Sequence, residues 1–302
     1  MARRCIQLLD TNDNEIAAES GIEVLWVESR LEYPTQPASL DPTPDIASMS
    51  CLLVNLACTR GAAEQLALLA ASMRGVRVRC ERFAGADPAK ALAVAMGRCE
   101  DDFADAIVLL GDDPRAMDST QAMLDALHAR GRGATGLVVG VTTFPGVWAS
   151  LRGVDGFVCA EEGRAPEVAA QLFIMLASLM APELWACLDA DDLLQSLGTA
   201  ACPSKVVEAV WFEARQQLVF GSEADEQTFR RSASAAVFIY ANRGMPLARV
   251  WQALRSPTMD GQSLAFAISA EFLVESTSMT GSTQVKFLCA GTAQGKPHSG
   301  AI

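Results

Sequence analysis

Histidine is almost missing from this chain: His128 and His298 are the two present in 302 residues. A histidine-rich metal site is therefore excluded. Tryptophan and tyrosine are scarce as well, five and two, which argues against an all-β chain. Basic charge is in deficit. Lys plus Arg number 24 against 36 Asp plus Glu, a formal charge of −12, which argues against non-specific binding to nucleic acid or to an anionic membrane. The densest basic run, Arg74–Arg82 (RGVRVRCER), alternates like a strand. No uninterrupted apolar run reaches membrane-spanning length, and the opening MARRCIQLLD lacks the apolar core of an export signal. The expectation is a cytoplasmic protein with no transmembrane segment. None of the nine cysteines forms a CxxC pair, and most sit in apolar surroundings. They read as reduced thiols packed like small hydrophobes.

Half of the residues are apolar, enough for one large domain or two ordinary ones. Residues 4–9 and 22–28 read as strands, and 33–48, with four prolines, as a linker. From Cys51 a regular alternation begins. Apolar strands are expected at Cys51–Leu56, Val76–Cys80, Ala106–Leu110, Leu137–Val141 and Phe157–Cys159. Helices are expected at Ala62–Met73, after the cap-and-proline pair Asp87–Pro88, at Ser119–Ala129 and from Pro166. Such alternation predicts a mostly parallel sheet covered on both faces.

The stretch Leu172–Gln195, LFIMLASLMAPELWACLDADDLLQ, organises the rest. As far as Leu179–Met180 it is apolar nearly all round, the pattern of a helix buried on most sides. Pro182 marks a break. Asp189, Asp191 and Asp192 follow, ahead of a second helical start with Leu193, Leu194 and Leu197 on one face. A core helix thus delivers a short acidic loop at the border between two halves. Beyond it, strands at Val206–Phe212, Ala236–Tyr240, Leu264–Ala270 and Val285–Cys289, with helices at Asp225–Ser234 and Pro246–Leu254, predict a smaller α+β unit. The expected divisions are an N-terminal extension (1–48), an α/β domain (49–170), the central helix and acidic loop (171–200), the smaller unit (201–293) and a tail (294–302).

This order resembles the tubulin/FtsZ superfamily, in which a nucleotide-binding α/β domain, a core helix and a catalytic loop precede a smaller α+β domain. The segment ADPAKALAVAMGRCEDDFADAIVLL (Ala86–Leu110) is similar to the loop, helix and strand of bacterial FtsZ with its ANP and ADMVFI motifs. ATGLVVGVTTFP (Ala134–Pro145) resembles the strand ending in a TKPF-like segment. CLDADDL (Cys187–Leu193) resembles the catalytic loop NLDFADV, and QVKFLCAGTA (Gln284–Ala293) the final VRVTVIATG strand. Gly244–Leu254 fits the helix of the second domain. The likeness covers roughly residues 50–293. It implies GTP and Mg²⁺ as the family's ligands, division or cytoskeletal proteins such as FtsZ as partners, and self-association.

The departures bear most on function. Where the first glycine-rich loop is due, Ala57, Cys58, Thr59 and Arg60 lead to a single glycine, Gly61. Where the tubulin signature GGGTGTG is due, the chain reads Gly111, Asp112, Asp113, Pro114, Arg115, Ala116, Met117, Asp118, Ser119, Thr120. Glycines there let backbone N–H groups close around phosphates at a helix start. Two aspartates repel phosphate and a proline removes a donor. Arg115, Ser119 and Thr120 remain as weak anion-binding positions. In the acidic loop, Asp189 and Asp192 match the family's two aspartates, which activate water at the neighbouring subunit's nucleotide, but Cys187 replaces its asparagine. These acids otherwise read as a cap for a helix starting near Leu193.

The resemblance with these losses implies an FtsZ-like scaffold, cytoskeletal or division protein without normal GTP binding or hydrolysis. The alternatives are an unusual polymerising GTPase, or an enzyme holding Mg²⁺ on Asp112, Asp113 and Asp118 at a strand end. Cys58 as a nucleophile lacks a nearby histidine. Trp148 and Trp251 read either as interface anchors or as core.

Overall fold

The structure, a computed structural model, describes residues 8–9, 23–31, 48–55, 76–84, 88–97, 99, 104–110, 117–129, 135–143, 145–179, 185–186, 190–212, 215, 217–240, 263–269 and 282–290. The strands are β1 (Leu8–Leu9), β2 (Glu23–Leu31), β3 (Ser48–Asn55), β4 (Val76–Ala84), β5 (Ala104–Leu110), β6 (Thr135–Thr142) and β7 (Gly156–Cys159). Then come β8 (Trp185–Ala186), β9 (Ser204–Phe212), β10 (Gln217–Phe220), β11 (Ser234–Tyr240), β12 (Ser263–Ser269) and β13 (Ser282–Cys289). The helices are α1 (Pro88–Met96), α2 (Met117–Ala129), α3 (Ala165–Leu179), α4 (Ala190–Ser196) and α5 (Glu223–Arg231).

All described strands join one 13-stranded sheet in the order β1-β4-β2-β3-β5-β6-β7-β9-β13-β11-β12-β8, with β10 on β9. The run β3-β5-β6-β7-β9 is parallel, as the alternation of strand and helix predicts. The whole is mixed rather than mostly parallel, which corrects the expectation. β2 runs antiparallel to both β3 and β4, and β13 runs antiparallel to both β9 and β11. Neither reversal has a signature in strand composition, because register and direction are set by neighbours far apart in the chain. β2 comes from the segment expected as an N-terminal extension and lies between β3 and β4. β7 pairs with β9, so the sheet also runs across the boundary expected near residue 200. The helices expected at Ala62–Met73 and Pro246–Leu254 lie outside the described residues.

Side-chain alternation divides the core into two faces. On one, Cys51, Leu53, Val108, Val139 and Val158 pack with Phe238 and Leu288 beneath α3 and α4. This cluster is continuous from β3 to β11. α3 is apolar nearly all round because it packs against β5 and β6 on one side and β9 and β12 on the other. Leu172 to Leu176 are all buried. Each such aliphatic side chain contributes about 1.5–3 kcal/mol through burial. On the opposite face the cover is split. Leu52, Ile107 and Val138 lie under α1, α2 and a 3₁₀ turn at Pro145–Ser150, whereas Val207, Val237 and Phe287 lie under α5. Trp148 is buried against Phe157 at 6.4 Å between centroids. It is a core residue, not an interface anchor; Trp251 lies outside the described residues.

Polar contacts tie α3 to the second half of the sheet. Lys286 of β13 and Glu208 of β9 are cross-strand partners and form an ion pair, and Gln171 Nε2 of α3 donates to Glu208 Oε1 at 3.1 Å. The Lys286 side chain is 8% exposed and that of Glu208 51%. Removing Glu208 leaves a buried ammonium without its partner. Glu208→Ala is expected to cost about 2 kcal/mol in urea denaturation. Lys286→Met, which removes the charge while filling similar volume, is expected to cost less. An equal loss in both would contradict this assignment.

Asp105 does comparable work at the start of the parallel run, its Oδ2 accepting from the Ser50 backbone N–H at 2.7 Å. Burial raises its pKa from the ordinary 3.8, against the lowering effect of that hydrogen bond. With the folded pKa raised, the stability due to the protonated form is full below pH 3.8 and is lost as pH rises through the folded value. Asn keeps an acceptor without the charge. Asp105→Asn is therefore expected to gain on the native protein as pH rises from acid to neutral. Asp105→Ala, which orphans the Ser50 N–H, is expected to lose about 1 kcal/mol at both ends. Denaturation midpoints across that range check both outcomes.

Candidate functional site

Parallel α/β sheets present ligand sites at the carboxyl ends of their strands. Here β3 and β5 are adjacent and in register, with Asn55 opposite Leu110 at their carboxyl ends. Thr59, Arg60 and Gly61 follow the first strand in sequence, and Gly111, Asp112, Asp113 and Arg115 follow the second. All seven lie outside the described residues. The two strands that these candidate positions follow are thus neighbours in the sheet.

The described part of this region is the start of α2. Asp118 is exposed in its first turn. Thr120 is fully buried and already partnered, on the helix face that carries the core residues Met123, Leu124 and Leu127. The backbone of Ser119 lies in the same turn. A carboxylate in the first turn favours the helix through its dipole and opposes a bound phosphate. Asp112 and Asp113, the expected companions of Asp118, lie outside the described residues, and among the described residues no group of three His, Cys, Asp or Glu side chains is placed to hold a metal ion.

The acidic segment differs from its expected form. α4 begins at Ala190, not near Leu193, so Asp192 is a half-buried residue of the first turn rather than of a loop. Its carbonyl accepts from Ser196 Oγ at 3.0 Å. Leu193 of this turn and Leu197, just past the helix end, join the large core. Asp189 and Cys187 lie outside the described residues.

A second place was missed by sequence reasoning. Cys159 ends β7, and its strand partner is Lys205 of β9, whose partner on the other side is Cys289 of β13. The three side chains form a row on the sheet face where the helical cover is split. With Cys202, Pro203, Ala224, Gln227, Thr228, Arg231 and Ala290 they line an open cleft of about 540 Å³. The loop carrying Cys202 is seated by Gly198. A Cβ there would come within 2.2 Å of the Cys202 carbonyl oxygen, so only glycine admits this approach. Burial pushes the Cys289 thiol up to about 12. Nothing in local composition signals this row, because its members come together only through strand register.

No family model and no curated protein matches the chain. Solved structures similar to it include an empty FtsZ dimer from M. jannaschii, at 9% identity and a TM-score of 0.34, covering 68% of this chain and 60% of that one. CetZ2 from Haloferax volcanii, in a GTPgS-bound protofilament, is similar at 12% identity and 0.43, covering 70% and 72%. CetZ from Methanosaeta thermophila follows at 12% and 0.39, covering 67% of each chain. The chain thus spans less than two thirds of the M. jannaschii FtsZ. Similarity at this level carries no argument about family or activity, and these sources are archaeal, so the expectation of a bacterial protein gains no support.

Proposed function

We propose that this chain is an FtsZ-like scaffold, cytoskeletal or division-related protein that works by protein–protein contact, without normal GTP binding or hydrolysis. The order of motifs along residues 50–293 supports the family reading. The observation that carries the loss of nucleotide chemistry is the start of α2. The helix that follows β5 begins with Asp118 exposed in its first turn and Thr120 turned into the core. A negative side chain occupies the helix end that phosphate requires. The preceding GDDPR sequence adds two more acids and a proline.

Function then rests on contacts between chains. Head-to-tail contact of unlike surfaces generates filaments when the rotation does not close. The same contact with a genuine FtsZ subunit makes this chain a modulator of another filament. Among the described residues no helix is long and apolar enough to cross a membrane.

Calorimetric titration with GTP and GDP in the presence of Mg²⁺, with high-speed pelleting of the same samples, tests this reading. The expected result is no nucleotide binding at micromolar concentration and pelleting that is indifferent to nucleotide. Micromolar GTP binding, or GTP-dependent pelleting, would overturn it in favour of an unusual working GTPase.

A further inference from the structure

We propose that the cleft between β7, β9, β13 and α5 binds a small phosphoryl-bearing molecule, held by Lys205 and Arg231. The chain as a whole is strongly acidic, yet the residues lining this cleft include two cations and no carboxylate. Lys205 and Arg231 are exposed and enter no ion pair or hydrogen bond among the described residues. By contrast, Arg164 and Arg230 are each paired with a glutamate one helical turn away.

The neighbouring polar groups are already engaged. Thr228 Oγ1 donates to the Ala224 carbonyl at 2.8 Å, and Gln227 Nε2 donates to Glu223 Oε1 at 3.1 Å. The ammonium and the guanidinium are the charged donors left for a ligand, beside the second N–H of the Gln227 amide, and two cations suit a dianion. Arginine supplies a planar fork that matches phosphate, and lysine a mobile point charge. The volume is in the range of small-molecule sites.

The site also has a structural reason to stay open. β7 and β9 overlap by two residue pairs, Val158 with Ser204 and Cys159 with Lys205. On this face the cover of α1 and α2 ends on one side of the overlap, and that of α5 begins on the other. Lys205 therefore stands in a gap with a thiol on each flanking strand, about 4.8 Å away in the sheet direction. The cleft lies on the face opposite α3 and its lining includes none of the residues that follow β3 or β5, so the proposal stands independently of the FtsZ-like reading.

Inorganic phosphate and ribose 5-phosphate serve as probes in calorimetry, with acetate as the monoanionic control. Maleimide labelling of Cys159 and Cys202, read by peptide mass spectrometry, locates the binding. Both cysteines line the cleft and are half-buried. The expected result is millimolar or tighter binding of both phosphates, with at least about tenfold weaker binding in Lys205→Met and Arg231→Met. Slower labelling of the two cysteines when phosphate is bound is also expected. Both substituted side chains are exposed, and a thermal melt confirms that the variants fold. No phosphate binding, equal affinity in the variants, or labelling unchanged by phosphate would overturn the proposal. Acetate binding as tight as phosphate would overturn the phosphoryl assignment.

Discussion

The short pairing of β7 with β9 is the contact on which the rest of this structure depends. It comprises Val158 with Ser204 and Cys159 with Lys205, and it joins the parallel run of the first half to the antiparallel group of the second. A junction so narrow would be weak on its own hydrogen bonds, each worth about 1 kcal/mol net. It holds because one face of the sheet is covered without interruption. α3 lies across both halves, its apolar residues packing toward β5 and β6 and toward β9 and β12. Gln171 and Glu208 add a polar tie on the same side, and Ser204 Oγ donates to the Ser196 carbonyl at 2.6 Å close to the seam.

The other face bears the consequence. Its helices form two separate clusters, and the sheet is left open where they part. That arrangement puts Lys205 between Cys159 and Cys289 with Arg231 of α5 beside the same cleft. One face thus provides cohesion and the other provides the concave surface. The strand ends after β3 and β5 are where an ordinary nucleotide fold concentrates its chemistry; here LACTRG, with a single glycine, follows β3 and the acidic, proline-bearing GDDPR follows β5. An exposed Asp118 is in place at the helix start.

Much of the fold was legible in the sequence where strong local patterns coincide with burial on both sides. AIVLL became the last five residues of β5, and LFIML became the buried body of α3, which ends at Leu179. α5 was expected at Asp225–Ser234; it runs instead over Glu223–Arg231, because Ser222 caps it, three acids occupy its first turn and two arginines its last. What sequence could not give was pairing. β2 has no feature that announces its place between β3 and β4, and QLVF at β10 is too short, with alternate residues exposed, to stand out from a loop. The start of α4 was misplaced by about one turn, because Asp191 and Asp192 read as loop or cap residues. In fact Leu193 packs the first turn onto the core, and Leu197 packs there just past the helix end. The candidate loops were placed by strand order alone, and the Cys159–Lys205–Cys289 row required strand register that no single segment contains.

The central claim is that a single sheet and a shared buried face make the two halves one cooperative unit. Native-state hydrogen exchange in increasing urea, resolved by peptide, tests it most directly. The account predicts that peptides from β5 and β6 lose protection at the same urea concentration as those from β11 and β13. Separate transitions, with one half exchanging freely while the other stays protected, would contradict it.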